Sequence, residues 1–178
     1  MRILKYPDPS LTRVAAALEA VDDDVRGMAE EMFMAMAEAR GVGLAGPQVG
    51  YLRRLIVINT TPGTPDNEKA YVNPRIVWQE GETSSEEGCL SLPGVNGKVT
   101  RAERIRMEAL DLQGNAVTVE ADTLLARVLQ HEIDHLDGVL IFTKFSALDK
   151  AANQRPLRDL ERAAKEDAKG SSRRPAWR

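Results

Sequence analysis

The sequence contains little of several residue types on which common protein architectures depend. It has one cysteine, Cys89, among 178 residues, which excludes an internal disulfide framework and favours a reducing compartment. No window approaches the roughly 18 consecutive apolar residues of a membrane-spanning helix, and residues 1–7 lack the apolar run of a signal peptide. These absences predict a cytoplasmic protein with no membrane partner.

Aromatic residues are also scarce, with three Phe, three Tyr and two Trp. The core is therefore expected to be mostly aliphatic, with Met and Ala filling the space that rings would take. Hydrophobic residues make up 43% and charged residues 29%, close to the average of folded globular proteins. A chain of 178 residues is long enough for one core and short for two ordinary domains, so a single domain is predicted.

The net charge is small but unevenly distributed along the chain. It is −3 overall, yet residues 146–178 carry nine Lys and Arg against five Asp and Glu. A basic end of this kind is most often a solvated helix and a frayed tail. The other interpretation is a contact with a polyanion such as RNA. No DNA partner is predicted.

The only two histidines lie close together, in the segment His131-Glu132-Ile133-Asp134-His135. In a helix, residues at i and i+4 leave the same face, so both imidazoles can bind one metal ion. Glu132 then projects beside the ion without having to bind it, and it can take a proton from a water molecule there. The alternative is a helix with two surface histidines and a solvated glutamate.

A catalytic metal needs a third protein ligand, and the identity of that ligand separates enzyme classes. Metzincin proteases carry a further histidine where this chain has Ile141. Thermolysin-like proteases use a glutamate from a later helix, a position that Glu161 or Glu166 could take. The thiol of Cys89 could instead complete a Cys-His-His site with an open position for water. The residues alone leave open a zinc-dependent peptidase, another kind of metal-dependent hydrolase, and a non-catalytic protein that binds a metal or the ribosome.

Two helices are predicted from apolar residues at helical spacing. The first follows the acidic residues 22–24 and ends near Gly41, with Met and Ala facing the core. The second carries both histidines and runs from an N-cap at Asp122 to a stop at Gly138. Its apolar positions are expected in the core: Leu125, Leu129, Ile133 and Leu136.

Strands are predicted before the histidine-bearing helix. Residues 53–59 are rich in β-branched side chains, and residues 103–120 alternate in the manner of a β-hairpin. Asn73-Pro74 is expected to divide residues 70–79 into two short extended pieces or to confine them to a sheet edge. The pattern predicts a single α+β domain, with antiparallel or mixed strands around a central metal-binding helix.

Two further segments have compositions that suit a ligand site. Residues 41–50 contain four glycines with Pro47 among them, which is incompatible with ordinary helix or strand. Such a loop could let a ligand approach the backbone, with the Gln48 amide as a donor, although a plain structural turn is an equally good interpretation. Cys89 lies between a glycine and a short apolar stretch, at a turn or the edge of a strand.

Three blocks of sequence together resemble the peptide deformylase family. They are GVGLAGPQVG at 41–50, EEGCLSLPG at 86–94 and QHEIDHLDG at 130–138, in the order and at the spacing typical of that family. The resemblance extends from PDPSL near the N-terminus to about residue 145. It implies a metal-dependent hydrolase of protein biosynthesis, which removes the formyl group from N-formyl-methionine at the start of nascent polypeptides.

The resemblance implies a catalytic role for each matching residue. Three side chains would bind the metal ion: Cys89, His131 and His135. Glu132 would be the general acid/base toward the water that attacks the formamide carbon. The metal, the Gln48 side-chain amide and the Leu90 backbone N–H would hold the oxyanion of the tetrahedral intermediate.

The resemblance also implies residues that bind substrate and brace the site. The peptide would be bound as an added strand by the glycine loop, and its methionine by an apolar pocket near the metal helix. The residues concerned are Gly43, Val42, Leu124 and Val128. Glu87 and Arg101 would form a salt bridge that braces the cysteine loop.

The metal itself is predicted differently by the two lines of reasoning. Ligand spacing and softness predict zinc. The resemblance instead implies one Fe(II) ion, with Zn, Ni or Co able to substitute for it. A thiolate on ferrous iron implies sensitivity to oxygen.

The chain departs from the family pattern in three places. Gly46 replaces an alanine and is expected to loosen the glycine loop. Asn96-Gly97 stands where larger side chains are common, and is expected to widen the rim of the substrate cleft. The part beyond Lys144 is the least similar to the family.

That C-terminal part is predicted to contain one more helix. Pro156 would open it, and it would continue to about Lys169. The catalytic domain is therefore expected to comprise residues 1–169, followed by a disordered basic tail at 170–178. We expect any transient ribosome contact to be made by this basic end.

Overall fold

The fold combines α-helices with antiparallel strands, as predicted. The computed structural model describes residues 1–61, 63, 64 and 67–171. Within them the chain forms four α-helices: α1 Asp23–Glu38, α2 Thr123–Leu136, α3 Ala147–Ala152 and α4 Gln154–Ser171. The strands are β1 Gly43–Ala45, β2 Leu55–Ile58, β3 Lys69–Glu80, β4 Thr83–Gly88, β5 Asn96–Arg101, β6 Arg104–Leu110 and β7 Ala116–Asp122.

The strands form two sheets in the described part of the chain. Five of them pair in the order β1-β2-β3-β6-β7, and β4 pairs with β5. Every neighbouring pair is antiparallel, and β6 and β7 form the predicted hairpin around a turn at Gly114. The glycine-rich segment is less irregular than expected, because Gly43–Ala45 forms the edge strand β1 before the chain turns at Gly46–Val49.

Strand β2 is apolar at every position because both of its faces are covered. Ile56 and Ile58 pack with apolar residues of α2, whereas Leu55 and Val57 pack with α1. A strand buried on both faces needs no polar alternation. The large sheet is thus covered by α2 on one side and by α1 on the other.

Helix α2 lies between the two predicted boundary residues, and hydrogen bonds fix its C-terminal end. Asp122 occupies the N-cap position, but its side chain accepts no hydrogen bond from the helix backbone. At the other end Gly138 has a φ of 72°, and its N–H donates to the His135 carbonyl at 3.2 Å. The Val139 N–H donates to the Asp134 carbonyl at 2.8 Å, which completes a Schellman motif. The predicted bounds are confirmed, and so is the burial of Leu129, Ile133 and Leu136, whereas Leu125 is only partly buried.

The prediction for Asn73-Pro74 was wrong, because β3 is one continuous strand inside the sheet. It lies between β2 and β6, and its pairing with β6 shifts register between Val72 and Arg75. This bulge takes up the proline, which cannot donate to a regular ladder. Asn73 there has a φ of 52°, and its side chain bonds both the N–H and the C=O of Leu18, at 2.9 and 2.8 Å.

Two expected consequences of small residues were also wrong. Gly46 does not loosen its loop, since a Cβ there would collide with the Tyr51 carbonyl and lie 2.7 Å from the Arg53 carbonyl. Gly97 does not widen the cleft, because a Cβ on it would lie 2.9 Å from ring atoms of Phe145. Both glycines are required by close packing.

The C-terminal helices pack on a third cluster of apolar residues. Pro156 lies in the first turn of α4, which begins two residues earlier than predicted, at Gln154. Leu157 and Leu160 face a core that stands behind the cysteine loop and is built from Leu11, Leu92, Val95, Val99, Leu140, Ile141 and Phe145. Of the predicted tail, residues 172–178 lie outside the described residues. None of the described helices is long and apolar enough to cross a membrane.

The buried Gln130 side chain joins α2 to the β5–β6 connection. It accepts from the Ala102 N–H at 3.0 Å and donates to the Ala102 and Ala126 carbonyls at 2.9 and 3.0 Å. Gln130→Leu removes the side-chain partner of the partly buried Ala102 N–H and C=O, so we expect a loss of about 1–3 kcal/mol in unfolding free energy. Denaturant unfolding of metal-saturated protein measures this change in unfolding free energy, and Gln79→Leu, at an exposed residue, is the control. A loss equal to that of the control would contradict this role.

Candidate metal centre

Three metal-ligating side chains converge between helix α2 and the loop after β4. His131 and His135 leave the same face of α2, and Cys89 follows directly on β4. Their ligand atoms all lie within 4.8 Å of one another, and Cys89 Sγ is 3.2 Å from His135 Nε2. Glu161, the alternative ligand, instead accepts a hydrogen bond from Tyr6 at 3.0 Å and is not among the converging ligand groups.

The orientation of His131 is set by a buried carboxylate. Its Nδ1 is 2.9 Å from Glu87 Oε2, which leaves Nε2 to face the other ligands. Arg101 donates to both oxygens of Glu87, at 2.5 and 2.9 Å. The expected Glu87–Arg101 salt bridge is therefore present, and it continues through Asp134 at 2.8 Å to Lys144.

These ion pairs keep Glu87 ionised. Burial alone would raise the pKa of Glu87, but hydrogen bonds from Arg101 and His131 outweigh it and hold the pKa at about 2. A permanently charged carboxylate on Nδ1 strengthens the imidazole as a metal ligand and fixes its ring plane.

His135 is buried, and its environment favours the neutral form. Burial lowers the pKa of His135 well below its ordinary value. Its Nδ1 has no hydrogen-bond partner within the described part of the chain. A neutral imidazole with Nε2 beside a thiol is ready to bind a cation.

The donor set fits one divalent transition metal ion. One thiol and two imidazoles are borderline-soft ligands, which suit Zn, Fe, Co or Ni and disfavour Mg or Ca. Three protein ligands leave a coordination position for water or substrate, as in catalytic sites. The ligand set fits both zinc and Fe(II), the two ions predicted from the sequence, and does not distinguish between them.

Glu132 projects into the site beside the ligands. Its side chain is 4% exposed, and its Oε2 has no partner among the described residues. Burial raises the pKa of Glu132 to about 7, and a cation bound beside it would lower that pKa again. The carboxylate packs against the bare backbone of Gly43, where a Cβ would lie 2.9 Å from Glu132 Cγ and Cδ.

Gln48 faces the thiol from the turn after β1. Its Oε1 accepts from the Ala45 N–H at 2.8 Å, which fixes the orientation of the amide. The Nε2 group then points toward Ser91 Oγ at 3.2 Å and Cys89 Sγ at 3.7 Å. The hydrogen bonds of the described chain include none from the Leu90 N–H, whose loop faces the same cleft.

The predicted substrate residues line the same cleft as Cys89 and His131. The cavity measures about 400 Å³ and brings together Val42, Gly43, Gln48, Cys89, Leu90, Leu124, Val128, His131 and Glu132. Leu124 is 38% exposed, whereas Val128 is buried. The roles of these residues stay predictions, but all of them are present in one cleft.

Sequence reasoning missed three charged residues of the cleft: Arg40, Glu86 and Arg127. Arg127 had a usable signal, because it lies four residues before His131 and therefore on the same helix face. For Arg40 and Glu86 the sequence contained no signal except that Arg40 directly precedes residues 41–50 and Glu86 begins residues 86–94.

Comparison with known proteins assigns a family to this arrangement. The family model described as polypeptide deformylase matches residues 1–151. The peptide deformylase of Acidobacterium capsulatum is 43% identical over 162 residues, covering 90% of this chain and 95% of its own. That of Neisseria gonorrhoeae is 45% identical over 148 residues, covering 83% of this chain and 88% of its own.

Solved structures show the same similarity. A peptide deformylase from Plasmodium falciparum superposes with a TM-score of 0.90 at 36% identity, covering 93% of this chain and 98% of its own. A peptide deformylase from Legionella pneumophila gives a TM-score of 0.85 at 38% identity, covering 98% of both chains.

Proposed function

The chain belongs to the polypeptide deformylase family, and we propose how its site performs the family's reaction, the metal-dependent removal of the N-formyl group from nascent polypeptides. One observation carries the proposal. The sulfur and nitrogen atoms of Cys89, His131 and His135 converge within 4.8 Å, beside the unpaired Glu132 carboxylate.

The proton transfers are assigned to Glu132. A divalent ion bound by the three ligands would lower the pKa of a water molecule and polarise the formyl oxygen. Glu132 accepts the proton of the attacking water and returns it to the departing α-amine. The buried Oε2 of Glu132 has no other partner among the described residues, so it is available to bond that water.

Two donors of the chain are assigned to the developing oxyanion. Gln48 offers an Nε2 proton from an amide that Ala45 holds in place at 2.8 Å. The Leu90 N–H lies in the loop that also carries Cys89. Fixed donors stabilise charge in the transition state without reorganising, so we assign the tetrahedral oxygen to this pair.

Substrate binding is assigned to the edge strand and the metal helix. Val42 and Gly43 line the cleft at the free edge of the large sheet, where a peptide can pair as an added strand. Leu124 and Val128 present an apolar surface beside His131, which suits the methionine side chain.

We propose Fe(II) as the bound ion, with Zn, Ni or Co able to replace it. The soft thiolate and the two imidazoles support any of the four. Oxygen sensitivity distinguishes ferrous iron, because oxidation of the ion or of the thiolate ends activity. Metal analysis of protein purified without oxygen should find iron at the site, and zinc alone would contradict the assignment.

We also propose that the protein is cytoplasmic and that residues 1–169 form its catalytic domain. The basic C-terminal end is proposed to make a transient contact with the ribosome. Helix α4 supports the contact with exposed basic side chains, among them Arg155 and Arg162. Because α4 packs on the core, charge reversal tests this better than deletion. Arg155→Glu with Arg162→Glu should weaken co-sedimentation with ribosomes at low salt and leave peptide deformylation unchanged. Equal sedimentation would contradict the contact.

The reaction is tested with formyl-Met-Ala-Ser and oxygen-protected, nickel-loaded protein. We expect release of formate and a free amine, loss of both after chelation, and recovery when the metal is restored. A zinc-dependent peptidase would instead cleave internal bonds of unformylated peptides. A binding protein would release nothing although the metal is bound.

A further inference from the structure

The N-terminal segment lies across the two loops that carry the proposed oxyanion donors. The Leu4 N–H donates to the Gln48 carbonyl at 2.8 Å. Two residues later, the Tyr6 N–H donates to the Ser91 carbonyl at 2.9 Å. The same short segment is thus bonded to the backbone of both loops.

Lys5 adds a charged contact between these two bonds. Its Nζ donates to the Leu90 carbonyl at 2.5 Å, although the side chain belongs to an exposed residue. A hydrogen bond from an ammonium group is stronger than one between neutral groups. Lys5 therefore holds the peptide that follows Leu90.

The peptide that precedes Leu90 is held as well. Its carbonyl, that of Cys89, accepts from the Leu92 N–H at 3.0 Å. In a trans peptide the N–H points away from the carbonyl, so this bond directs the Leu90 N–H to the opposite side. With both flanking carbonyls bonded, the backbone at Leu90 has little freedom to rotate.

We propose that Lys5 is a positioning residue of deformylation, which holds the Leu90 N–H where the oxyanion forms. The inference rests on the proposed function, in which Gln48 and Leu90 supply the donors. An oxyanion donor acts only at hydrogen-bonding distance from the position that the charged oxygen will occupy. A small displacement of the Leu90 peptide should therefore affect the transition state more than the bound substrate.

Lys5→Met tests this, because methionine keeps an unbranched side chain and removes the donor. We expect kcat for formyl-Met-Ala-Ser to fall about tenfold with KM within about twofold. Metal content and the thermal midpoint should match those of the parent protein. Lys5→Arg should restore kcat to within about threefold, because it keeps a cationic donor. Arg2→Met, an exposed cation of the same segment, is the matched control and should leave kcat unchanged.

Three outcomes would overturn the inference: unchanged kcat in Lys5→Met, a raised KM with unchanged kcat, or a loss of kcat in proportion to lost metal. Gln48→Ala, assayed in parallel, separates this from failure of the proposed function. If Gln48→Ala is impaired and Lys5→Met is not, the inference alone fails. If Gln48→Ala is fully active, the oxyanion assignment itself is wrong.

Discussion

Glu132→Gln is expected to lower kcat for a formyl-methionyl peptide about a thousandfold while the protein still binds one metal ion. Glutamine keeps the size of the side chain and its packing against Gly43, but it cannot accept the proton of the attacking water. Because the Glu132 carboxylate is not among the converging ligand atoms, metal affinity should be nearly unchanged.

The measurement is formate release by metal-loaded protein, with metal stoichiometry determined on the same sample. Glu82→Gln is the control, since it makes the same chemical change at an exposed turn. Retained activity in Glu132→Gln would show that another group moves the proton. Loss of activity together with loss of metal would show that Glu132 supports the ligands instead.

The metal helix could be predicted from the sequence because its information is local. Two histidines at i and i+4 share a helix face whatever surrounds them, and Asp122 and Gly138 mark the ends of that helix. Cys89 is 42 residues away from His131 along the chain, so spacing could not connect them. Only the scarcity of thiols and the family resemblance indicated that ligand.

The predictions that were wrong concern packing contacts that no local sequence pattern shows. Pro74 suggested an edge strand because proline cannot donate to a regular ladder. The bulge that accommodates it depends on hydrogen bonds between Asn73 and Leu18, which the sequence does not show. Gly46 suggested a loose loop because glycine composition does not show the turn that follows it. That turn brings the carbonyls of Tyr51 and Arg53 close enough to exclude a side chain at Gly46. Local sequence rules describe which conformations a residue allows, whereas the conformations at Pro74 and Gly46 depend on the groups that contact them.

Gly43→Ala is expected to lower kcat about a hundredfold, although alanine changes no chemical group of the reaction. The backbone at Gly43 is an ordinary strand conformation, so alanine is not strained by its dihedral angles. The added methyl group would collide with the Glu132 carboxylate and lie 2.9 Å from its Cγ and Cδ. Because Glu132 is buried, we expect the collision to move its carboxylate away from the position proposed for proton transfer.

Steady-state kinetics on metal-loaded protein measure the effect, with Gly27→Ala as the matched control. Gly27 lies in α1 with no atom within 4 Å of an added Cβ, so alanine there should keep full activity and stabilise the helix by about 0.5–1 kcal/mol. Gly43→Ala keeps the backbone groups that would pair with the peptide, so KM should change little. A raised KM with unchanged kcat would assign Gly43 to substrate binding alone.

A double-mutant cycle decides whether Gly43 acts through Glu132. Once Glu132→Gln has removed the proton acceptor, displacing that side chain should lower kcat little further. Gly43→Ala should then cost less than about threefold in the Glu132→Gln background, against about a hundredfold in the parent. Equal costs in both backgrounds would mean that the methyl group damages the cleft independently of Glu132. Non-additivity would establish that the bare backbone of β1 is part of what positions the acid/base.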